Sequence, residues 1–377
     1  MTGLYIHIPF CKSRCIYCGF YSTTAEQMKQ AYVDAVCREM ELRDAIYEKE
    51  GKDVGKTIAT VYLGGGTPSQ LSPTQLQQLF DAIARHYNVK DDAEITIECN
   101  PDDVTEEFAL LLKELPVNRV SMGAQTFDDE RLRFIRRRHT SKQIAAAVAR
   151  LRENDIQNIS IDLMYGFPNE TIEAWTEDID QALALDVEHI SAYSLTYEEG
   201  TPLYQLLEDG KVKEIDEELS IQMYHALIER LEAVGYEHYE ISNFAREGYR
   251  SRHNSSYWQQ VPYIGIGAAA HSYDGEKRQW NIDDIQTYIS SIRQDVIPAE
   301  EELLDKDTRY NDHVMLALRT REGLDLESLD TEERAYCEQT AARFIDDGLL
   351  TKKNNHLILT RKGLFVSDMV MSELMKA

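Results

Sequence analysis

Three cysteines lie close together near the N-terminus, in the segment YIHIPFCKSRCIYCGF. Cys11, Cys15 and Cys18 fall within eight residues and alternate with charged and hydroxyl side chains, which indicates a polar loop. Thiolates at such a spacing are typical of a zinc site or an iron–sulfur cluster. A structural zinc site uses four Cys or His ligands, and the nearest fourth candidate, His7, belongs to the preceding strand candidate. From the cysteines alone, both kinds of site stay open.

An iron–sulfur cluster accounts for the number of cysteines better than zinc does. Clusters normally take four thiolates, so three thiolates on a four-iron cubane would leave one iron open to an external molecule. The sequence therefore predicts a [4Fe–4S] cluster whose missing ligand comes from a cofactor. The other cysteines, Cys37, Cys99 and Cys337, lie in helix or strand candidates, and we expect them to pack as small hydrophobic side chains.

Composition limits the class of protein. With 377 residues, of which 43% are apolar, the chain can form one large domain and a smaller one. No apolar run approaches the ~20 residues of a membrane helix, and the N-terminus lacks the features of a signal peptide, so the expected compartment is the cytoplasm. A disulfide framework is not expected there. The net charge of −26 argues against nucleic-acid binding, which relies on neutralising phosphates.

A repeated strand–helix pattern must position the cysteine loop. Up to about Thr196, strand candidates alternate with amphipathic helix candidates, which predicts a parallel sheet, either doubly wound or curved into a barrel. The six strand candidates are GLYIHI, TIATVYL, EITIEC, NRVSMGAQ, NISIDLMYG and HISAYSL. In a parallel barrel the carboxyl ends of the strands share one face, where active sites form. We therefore expect the motifs that follow these strands to meet at one mouth.

The strand ends carry further candidate site residues. The glycines at 64–66 follow the second strand; they form either a tight turn or a place where backbone can approach a ligand closely. Glu98 ends the third strand and could accept hydrogen bonds, and Gln125 and Asp162 lie at the next two strands. Arg137 could pair with a carboxylate. Each residue alone reads as solvated surface, but their shared placement at strand ends favours a site.

The chain divides into three predicted parts: residues 1–200, residues 201–300 and residues 301–377. The middle part contains a helix candidate around Ile215 to Val234 and a stretch rich in Tyr, His and Asn. The last part has a helix to Arg319, a helix from Thr331 to Asp347, a hairpin across LLTKKNNHLILT and a final helix, in the order of a winged helix. Residues 305–377 contain 14 acidic and 11 basic residues, so DNA binding by this part is not expected.

The cysteine spacing and several longer segments resemble a known family. C-x-x-x-C-x-x-C after a first barrel strand, with Tyr17 just before the last cysteine, resembles the radical S-adenosylmethionine (SAM) superfamily, in which the methionine part of SAM chelates the open iron. Within it, essentially the whole chain resembles the HemN-like family and, more narrowly, the HemW type. The segments that carry this resemblance are YIHIPFC, YLGGGTPS, SMGAQTF, IDLMYGFP and ISNFA...RHNSSYW.

The resemblance implies a fold and its cofactors. The expected fold is an open six-unit (βα)6 partial TIM-type barrel with a small C-terminal winged-helix-like α+β module whose elements help to close the mouth. The cluster would be held by Cys11, Cys15 and Cys18. Reduction of the cluster, by a small electron-donor protein such as a flavodoxin or ferredoxin, would cleave SAM to a 5′-deoxyadenosyl radical.

The resemblance also assigns residues to SAM. Residues of the glycine motif and Glu98 match family positions that bind SAM, and Tyr5 and Tyr17 fit the same pocket, although a core role for Tyr5 is equally compatible with the sequence. Gln125, Arg137 and Asp162 match positions that contact a second SAM in the decarboxylating members. The predicted cofactor-binding set is Tyr5, Tyr17, Gly65, Gly66, Thr67, Glu98, Gln125, Arg137 and Asp162.

One departure from the family pattern separates two functions. Members that oxidise coproporphyrinogen carry C-x-x-x-C-x-x-C-x-C, whereas this chain has Phe20 at the last position. HemW proteins share this departure and are regarded as heme chaperones. The sequence therefore favours a protein that binds heme and delivers it to an unknown acceptor. The alternatives are an oxygen-independent coproporphyrinogen III oxidase and, less favoured, a radical heme-modifying enzyme.

The segment RHNSSYW supplies a candidate heme ligand. Imidazole is a common axial ligand of heme iron, and the neighbouring Tyr257 and Trp258 could cover a porphyrin face. From the residues alone, a structural role for His253 is favoured over a role as a ligand. The resemblance to HemW marks the His-Asn-x-x-Tyr-Trp motif as heme-associated, so we predict His253 as the leading axial ligand, ahead of His238 and His271.

Overall fold

The structure, a computed structural model, describes residues 2–50 and 57–376. Its strands are β1 (Thr2–Ile8), β2 (Thr57–Gly65), β3 (Asn88–Cys99), β4 (Arg119–Gln125), β5 (Asn158–Tyr165), β6 (His189–Ser194), β7 (Glu237–Glu240), β8 (Asn243–Ala245), β9 (Tyr263–Ile266), β10 (His271–Tyr273), β11 (Lys277–Asn281), β12 (Ala299–Leu303), β13 (Leu324–Asp325), β14 (Leu350–Lys353) and β15 (His356–Leu359). Its helices are α1 (Lys29–Glu50), α2 (Pro73–His86), α3 (Glu106–Glu114), α4 (Asp129–Phe134), α5 (Ser141–Glu153), α6 (Ile172–Ala184), α7 (Pro202–Glu208), α8 (Glu217–Ala233), α9 (Arg252–Trp258), α10 (Ile285–Ile292), α11 (Lys306–Leu318), α12 (Thr331–Asp346), α13 (Arg361–Leu364) and α14 (Ser367–Leu374).

A twelve-stranded sheet forms the main body, in the order β12-β11-β10-β9-β1-β2-β3-β4-β5-β6-β8-β7. Strands β1 to β6 pair in chain order and in parallel, with helices between them. Among the described residues the two edge strands, β12 and β7, do not pair with each other, so the sheet is curved but open. The predicted open six-unit βα partial barrel is confirmed.

The alternation of side chains along the strands separates an apolar layer from a polar interior. On β1, Leu4, Ile6 and Ile8 are completely buried in the main hydrophobic core beneath the helices. Tyr5 and His7 alternate with them and therefore face into the barrel. The helices are fixed by local caps; α2, for example, starts after Ser72, whose hydroxyl accepts from the Gln75 amide. The alternation along β1 thus directs the polar side chains of Tyr5 and His7 towards the interior of the barrel.

The six strands between residues 237 and 303 were not predicted. β7 and β8 extend the sheet beyond β6, whereas β9 pairs in parallel with β1 and continues into the antiparallel strands β10, β11 and β12. These strands are only three to five residues long, too short to show a clear alternation. β12 also crosses the predicted boundary between residues 300 and 301.

The GIGAAAH segment, noted for its G-x-G start, is part of this extension. A Cβ atom on Gly265 would lie 2.0 Å from the carbonyl oxygen of His271, so this glycine permits the tight packing of β9 against β10. Gly265 therefore has a structural role, and the tight packing that it permits fixes the backbone position of His271.

The C-terminal module has its own core and its own sheet, in the order β13-β15-β14. α11 begins at Lys306 and α12 spans Thr331–Asp346, close to the predicted bounds. The predicted hairpin is β14–β15, and its two turn residues, Asn354 and Asn355, have the positive φ angles of a tight hairpin turn. The predicted helix–helix–hairpin–helix order is therefore confirmed. No helix within the described residues is long and apolar enough to cross a membrane.

Candidate cofactor site and adjoining cavity

The strand ends of the barrel surround a cavity of about 260 Å³. Of the thirteen residues predicted to bind the cluster or a cofactor, twelve line this one cavity, and only His253 does not. The twelve are Tyr5, Cys11, Cys15, Tyr17, Cys18, Gly65, Gly66, Thr67, Glu98, Gln125, Arg137 and Asp162. The expectation that the strand-end motifs meet at one mouth is therefore met by the geometry.

The cysteine loop is held by backbone hydrogen bonds on both sides. The Cys11 amide donates to the Thr23 carbonyl at 2.9 Å, and the Ile16 amide donates to the Ile135 carbonyl at 3.3 Å. All three thiols of the loop are partly buried. The loop therefore presents them together to the cavity without being part of a strand or helix.

Neighbouring groups prepare these thiols for ligation. Burial raises the pKa of the Cys11 and Cys18 thiols, which favours the neutral form until a metal binds. Against this, the Thr67 hydroxyl donates to the Cys11 sulfur at 3.5 Å, and Nη1 of Arg137 lies 3.7 Å from the Cys15 sulfur. The Thr67 contact lowers the pKa of the Cys11 thiol, opposing the effect of burial, and ligation would release protons from the loop.

The residues fit an iron–sulfur cluster. Within the described part of the chain, no three His, Cys, Asp or Glu side chains are gathered tightly enough to hold a single metal ion. Cys11, Cys15 and Cys18 instead stand apart around a common cavity, and a cubane is held at separate corners. Three soft thiolates beside an arginine form a suitable donor set for such a group.

The glycine motif packs the end of β2 against β1. Gly65 has φ +108°, and a Cβ atom there would lie 2.4 Å from the His7 ring. A Cβ on Gly66 would lie 2.7 Å from the backbone of Pro9. The Gly65 amide donates to Glu98 and the Gly66 amide donates to the Ile8 carbonyl, so neither amide is free for a ligand. The glycines thus permit close packing of β2 against β1, and their amides bond within the protein. Close approach of this backbone to a ligand stays a prediction.

Glu98 lies at the centre of this hydrogen-bond network. Its carboxylate accepts from the Tyr62 hydroxyl at 2.8 Å and from the Gly65 amide at 3.0 Å. Burial raises its pKa to about 7. Asp162 also has a raised pKa, again because of burial. The cavity therefore holds two acids whose pKa values are raised by burial.

Arg119 was missed by the sequence analysis. It starts β4 and lies inside the barrel, where its side chain is almost completely buried, and its Nε and Nη1 atoms have no hydrogen-bond partner among the described residues. Its charge lowers the pKa of both Glu98 and Asp162, opposing the effect of burial. Nothing in the strand pattern marked this position, because an arginine at a strand end usually reaches solvent.

Arg137 connects three parts of the site. Its Nη2 donates to the Asn100 side chain at 2.7 Å and to the Gly123 carbonyl, while Nη1 faces Cys15. The predicted pairing with a carboxylate is not seen within the described residues. The side chain instead joins the ends of β3 and β4 to the cysteine loop.

A second cavity, of about 610 Å³, adjoins the first. Tyr5 and Phe20 line both cavities. The second cavity is predominantly aromatic and apolar, with contributions from β1, the cysteine loop, α9, β9 to β11, and α11. Its remaining lining residues are His7, Gly19, Tyr21, Tyr257, Trp258, Gln260, Tyr263, Ala269, His271, Tyr273, Arg278, Asp312, Met315 and Leu316. The C-terminal module thus contributes to the second cavity through α11, whereas none of its described residues lines the first cavity. Its expected part in closing the mouth stays a prediction.

His253 lies behind the wall of this second cavity. Its ring is 1% exposed, and both nitrogens are engaged, Nδ1 with the Thr60 hydroxyl and Nε2 with the Tyr257 hydroxyl, each at 2.8 Å. Burial lowers its pKa to about 3, so the imidazole is neutral. His253 thus touches the cavity wall through the Tyr257 hydroxyl and through its ring contact with Tyr5, but does not line the cavity itself. Its role as a heme ligand stays a prediction. His238 contacts the Ile241 carbonyl and stacks on Phe244, and it lines neither of these two cavities.

An open parallel half barrel with C-x-x-x-C-x-x-C after its first strand and a polar cavity across the strand ends defines a radical SAM protein. A model of the radical SAM superfamily matches residues 5–182, and a model of the HemN C-terminal domain matches residues 304–366. The solved coproporphyrinogen III oxidase (HemN) from Escherichia coli superposes with a TM-score of 0.85 over 100% of this chain and 90% of that chain, at 22% identity.

Full-length relatives identify the family within this superfamily. The heme chaperone HemW of Bacillus subtilis is 34% identical over 377 residues, which cover 98% of each chain. HemW of Mycobacterium tuberculosis is 34% identical over 378 residues, covering 99% of this chain and 94% of the relative. The chain belongs to the HemW family.

Proposed function

We propose that this protein binds heme in the 610 Å³ cavity and delivers it to an acceptor protein, as a heme chaperone. The observation that carries the proposal is that the large aromatic cavity lies next to the cysteine cavity. Tyr5 and Phe20 form the wall that the two cavities share. Its volume falls in the usual range for ligand and cofactor pockets. The names of the curated relatives, which are heme chaperones, support the same function.

The three cysteines would hold the cluster, and the polar strand-end residues would hold SAM. When bound, these two groups supply reductive, one-electron cleavage chemistry. Tyr62 and the Gly65 amide hold the Glu98 carboxylate in the cavity wall. Arg137 places a positive charge beside the Cys15 sulfur. The aromatic wall of Tyr5 and Phe20 separates this polar chemistry from the larger cavity.

The second candidate is an oxygen-independent coproporphyrinogen III oxidase. The adjoining cavities favour it, since a radical enzyme needs its substrate beside the cofactor. Phe20 argues against it, because this side chain is 72% exposed at the junction of the cavities and offers no thiol for ligation or hydrogen transfer. A radical enzyme that modifies heme would use the same arrangement and stays a third, weaker candidate.

The proposal includes an electron-donor protein such as a flavodoxin or ferredoxin. Lys12, Arg14 and Arg136 are exposed around the cysteine loop and form no ion pair within the described residues. In a chain with a net charge of −26, such a basic patch supports docking of an acidic partner. We further propose the cytoplasm as the compartment; the heme acceptor is not identified by these features.

The test uses anaerobically reconstituted, reduced protein. It is incubated with SAM and coproporphyrinogen in one sample and with heme in another, and products and bound tetrapyrrole are measured. We expect about one equivalent of bound heme and no protoporphyrinogen. Sustained turnover of coproporphyrinogen would establish the oxidase instead, and conversion of heme to a new pigment would establish the modifying enzyme.

A further inference from the structure

Two imidazoles line the large cavity, and they differ in their hydrogen bonding. His7 is buried; its Nδ1 contacts the Tyr5 hydroxyl at 3.0 Å and its Nε2 contacts the Tyr21 carbonyl at 3.1 Å. His271, on β10, is exposed to the cavity, and within the described residues its ring makes no hydrogen bond. A metal needs an imidazole nitrogen with an unengaged lone pair. His271 is therefore the histidine of this cavity that is ready to bind iron.

The backbone around His271 is fixed before any ligand arrives. Because Gly265 has no side chain, β9 packs closely against the His271 carbonyl of β10. The Gly265 amide also donates to the Ser272 hydroxyl at 2.9 Å. The His271 ring stacks on Trp280 of the neighbouring strand, with ring centroids 6.3 Å apart. These contacts hold the imidazole at the cavity wall and leave its nitrogens unengaged.

A cation lies on the same hairpin. Arg278 on β11 pairs across the ladder with Tyr273, two residues beyond His271, and also lines the cavity. Its guanidinium contacts the Asp312 carboxylate of α11. Heme carries two propionates, and an arginine binds a carboxylate with two parallel hydrogen bonds. Arg278 is thus suited to a propionate, in competition with Asp312.

We propose that His271 is the axial ligand of heme iron in this cavity and that Arg278 binds a heme propionate. The inference rests on the proposed heme-binding function and names the residues of that site. Ligation is a simple donation: the lone pair of a neutral imidazole nitrogen binds ferric iron and displaces a weakly held water or chloride, with no change of oxidation state. His253 acts through its hydrogen bond to Tyr257, which positions one wall.

The first experiment compares three histidine variants of the full-length protein by titration with ferric heme. His271→Ala should weaken heme binding by about tenfold or more and remove the spectrum of an imidazole-ligated iron. Added free imidazole should restore that spectrum. His253→Ala should weaken binding without removing imidazole ligation. His356→Ala, at a partly exposed position of β15 that lines neither cavity, serves as the matched control. Circular dichroism and iron content check that each variant is folded.

The outcomes separate the two levels of the proposal. An unchanged spectrum in His271→Ala together with loss of ligation in His253→Ala would overturn the assignment of His271 and leave heme binding intact. Failure of the parent protein to bind heme would overturn the proposed function and this inference with it. Retention of the imidazole spectrum in both variants would also reject His271.

The second experiment tests the propionate partner. Arg278→Gln should weaken binding of heme but not of heme dimethyl ester, whose carboxylates are blocked. Asp312→Asn should strengthen binding of heme, because the competing carboxylate is neutralised. Equal losses for heme and its dimethyl ester in Arg278→Gln would show that this arginine does not bind a propionate.

Discussion

The two cavities of this protein share a wall but are built in opposite ways. The 260 Å³ cavity is polar and is formed mainly by motifs at the ends of parallel strands, with the Glu98 carboxylate and the Cys11 sulfur already accepting hydrogen bonds. The 610 Å³ cavity is aromatic, and its walls come from the barrel, its antiparallel extension and the C-terminal module. Under the proposed function, the first cavity would hold cofactors of fixed geometry, and the second would bind heme reversibly.

The largest expected effect follows from removing the cluster ligands. Replacing Cys11, Cys15 or Cys18 with Ser should abolish the cluster, because in the proposed site each would supply one of three thiolates. Iron content after anaerobic reconstitution measures this. Cys337→Ser, in the core of the C-terminal module, is the matched control and should keep its iron. Heme binding should survive in all four variants if the two cavities are independent.

The polar cavity was predictable because its residues lie directly after strands that can be recognised from short stretches of sequence. Once β1 to β6 are recognised as parallel strands, the residues after each strand must meet, and the cysteine loop, Glu98 and Asp162 do so. Arg119 shows the limit of this reasoning. Its position on β4 was recognised, but that its side chain turns inward depends on the curvature of the whole sheet.

The aromatic cavity was predicted only in part: Tyr257 and Trp258 were expected to cover a porphyrin face, but the cavity as a whole was not foreseen. Tyr5, Trp258, His271 and Leu316 come from segments far apart in the chain, and β9 to β12 are too short to show a periodic pattern. The motif containing His253 was recognised from the sequence, yet the structure orients its histidine away from the cavity and its Tyr257 towards it. Side-chain direction on a helix of only seven residues depends on tertiary packing.

A second prediction concerns the charge of the polar cavity. The pKa of Glu98 is raised by burial from about 4.5 to about 7, so the folded protein binds more protons than the unfolded chain between these values. The free energy of unfolding of the cluster-free protein should therefore fall as pH rises through this range, by about 2 kcal/mol from this group. Glu98→Gln should remove that part of the pH dependence.

Denaturation in urea at about pH 5 and about pH 8 measures the difference. Asp91→Asn, which changes an exposed acid on the same strand, is the control. An identical pH dependence in Glu98→Gln and the parent protein would show that the carboxyl titrates normally and that the polar cavity is more hydrated than its contacts indicate.

A third prediction disturbs only the aromatic cavity. Leu316→Glu places a charge in its wall on α11, and heme affinity should fall about tenfold, because the carboxylate must lose water or repel the propionates. Heme titration measures the change. Met369→Glu, at an exposed apolar position of α14, is the control. Iron content should stay unchanged in both; its loss in Leu316→Glu would show that the cavities are coupled through their shared wall.

The smallest effect is expected at the basic patch of Lys12, Arg14 and Arg136 beside the cysteine loop. Reversing all three charges to Glu should slow reduction of the cluster by a reduced flavodoxin about fivefold at low salt, because electrostatic attraction mainly affects the rate of encounter. Stopped-flow absorbance measures this rate, and added salt should narrow the difference. Reduction by dithionite, a small reductant, should show no comparable loss.

Lys353→Glu, on the exposed hairpin of the C-terminal module, should behave as the parent protein. Equal slowing with flavodoxin and dithionite would mean that the substitutions alter the cysteine cavity itself, so that the patch belongs to the polar site and not to a docking surface.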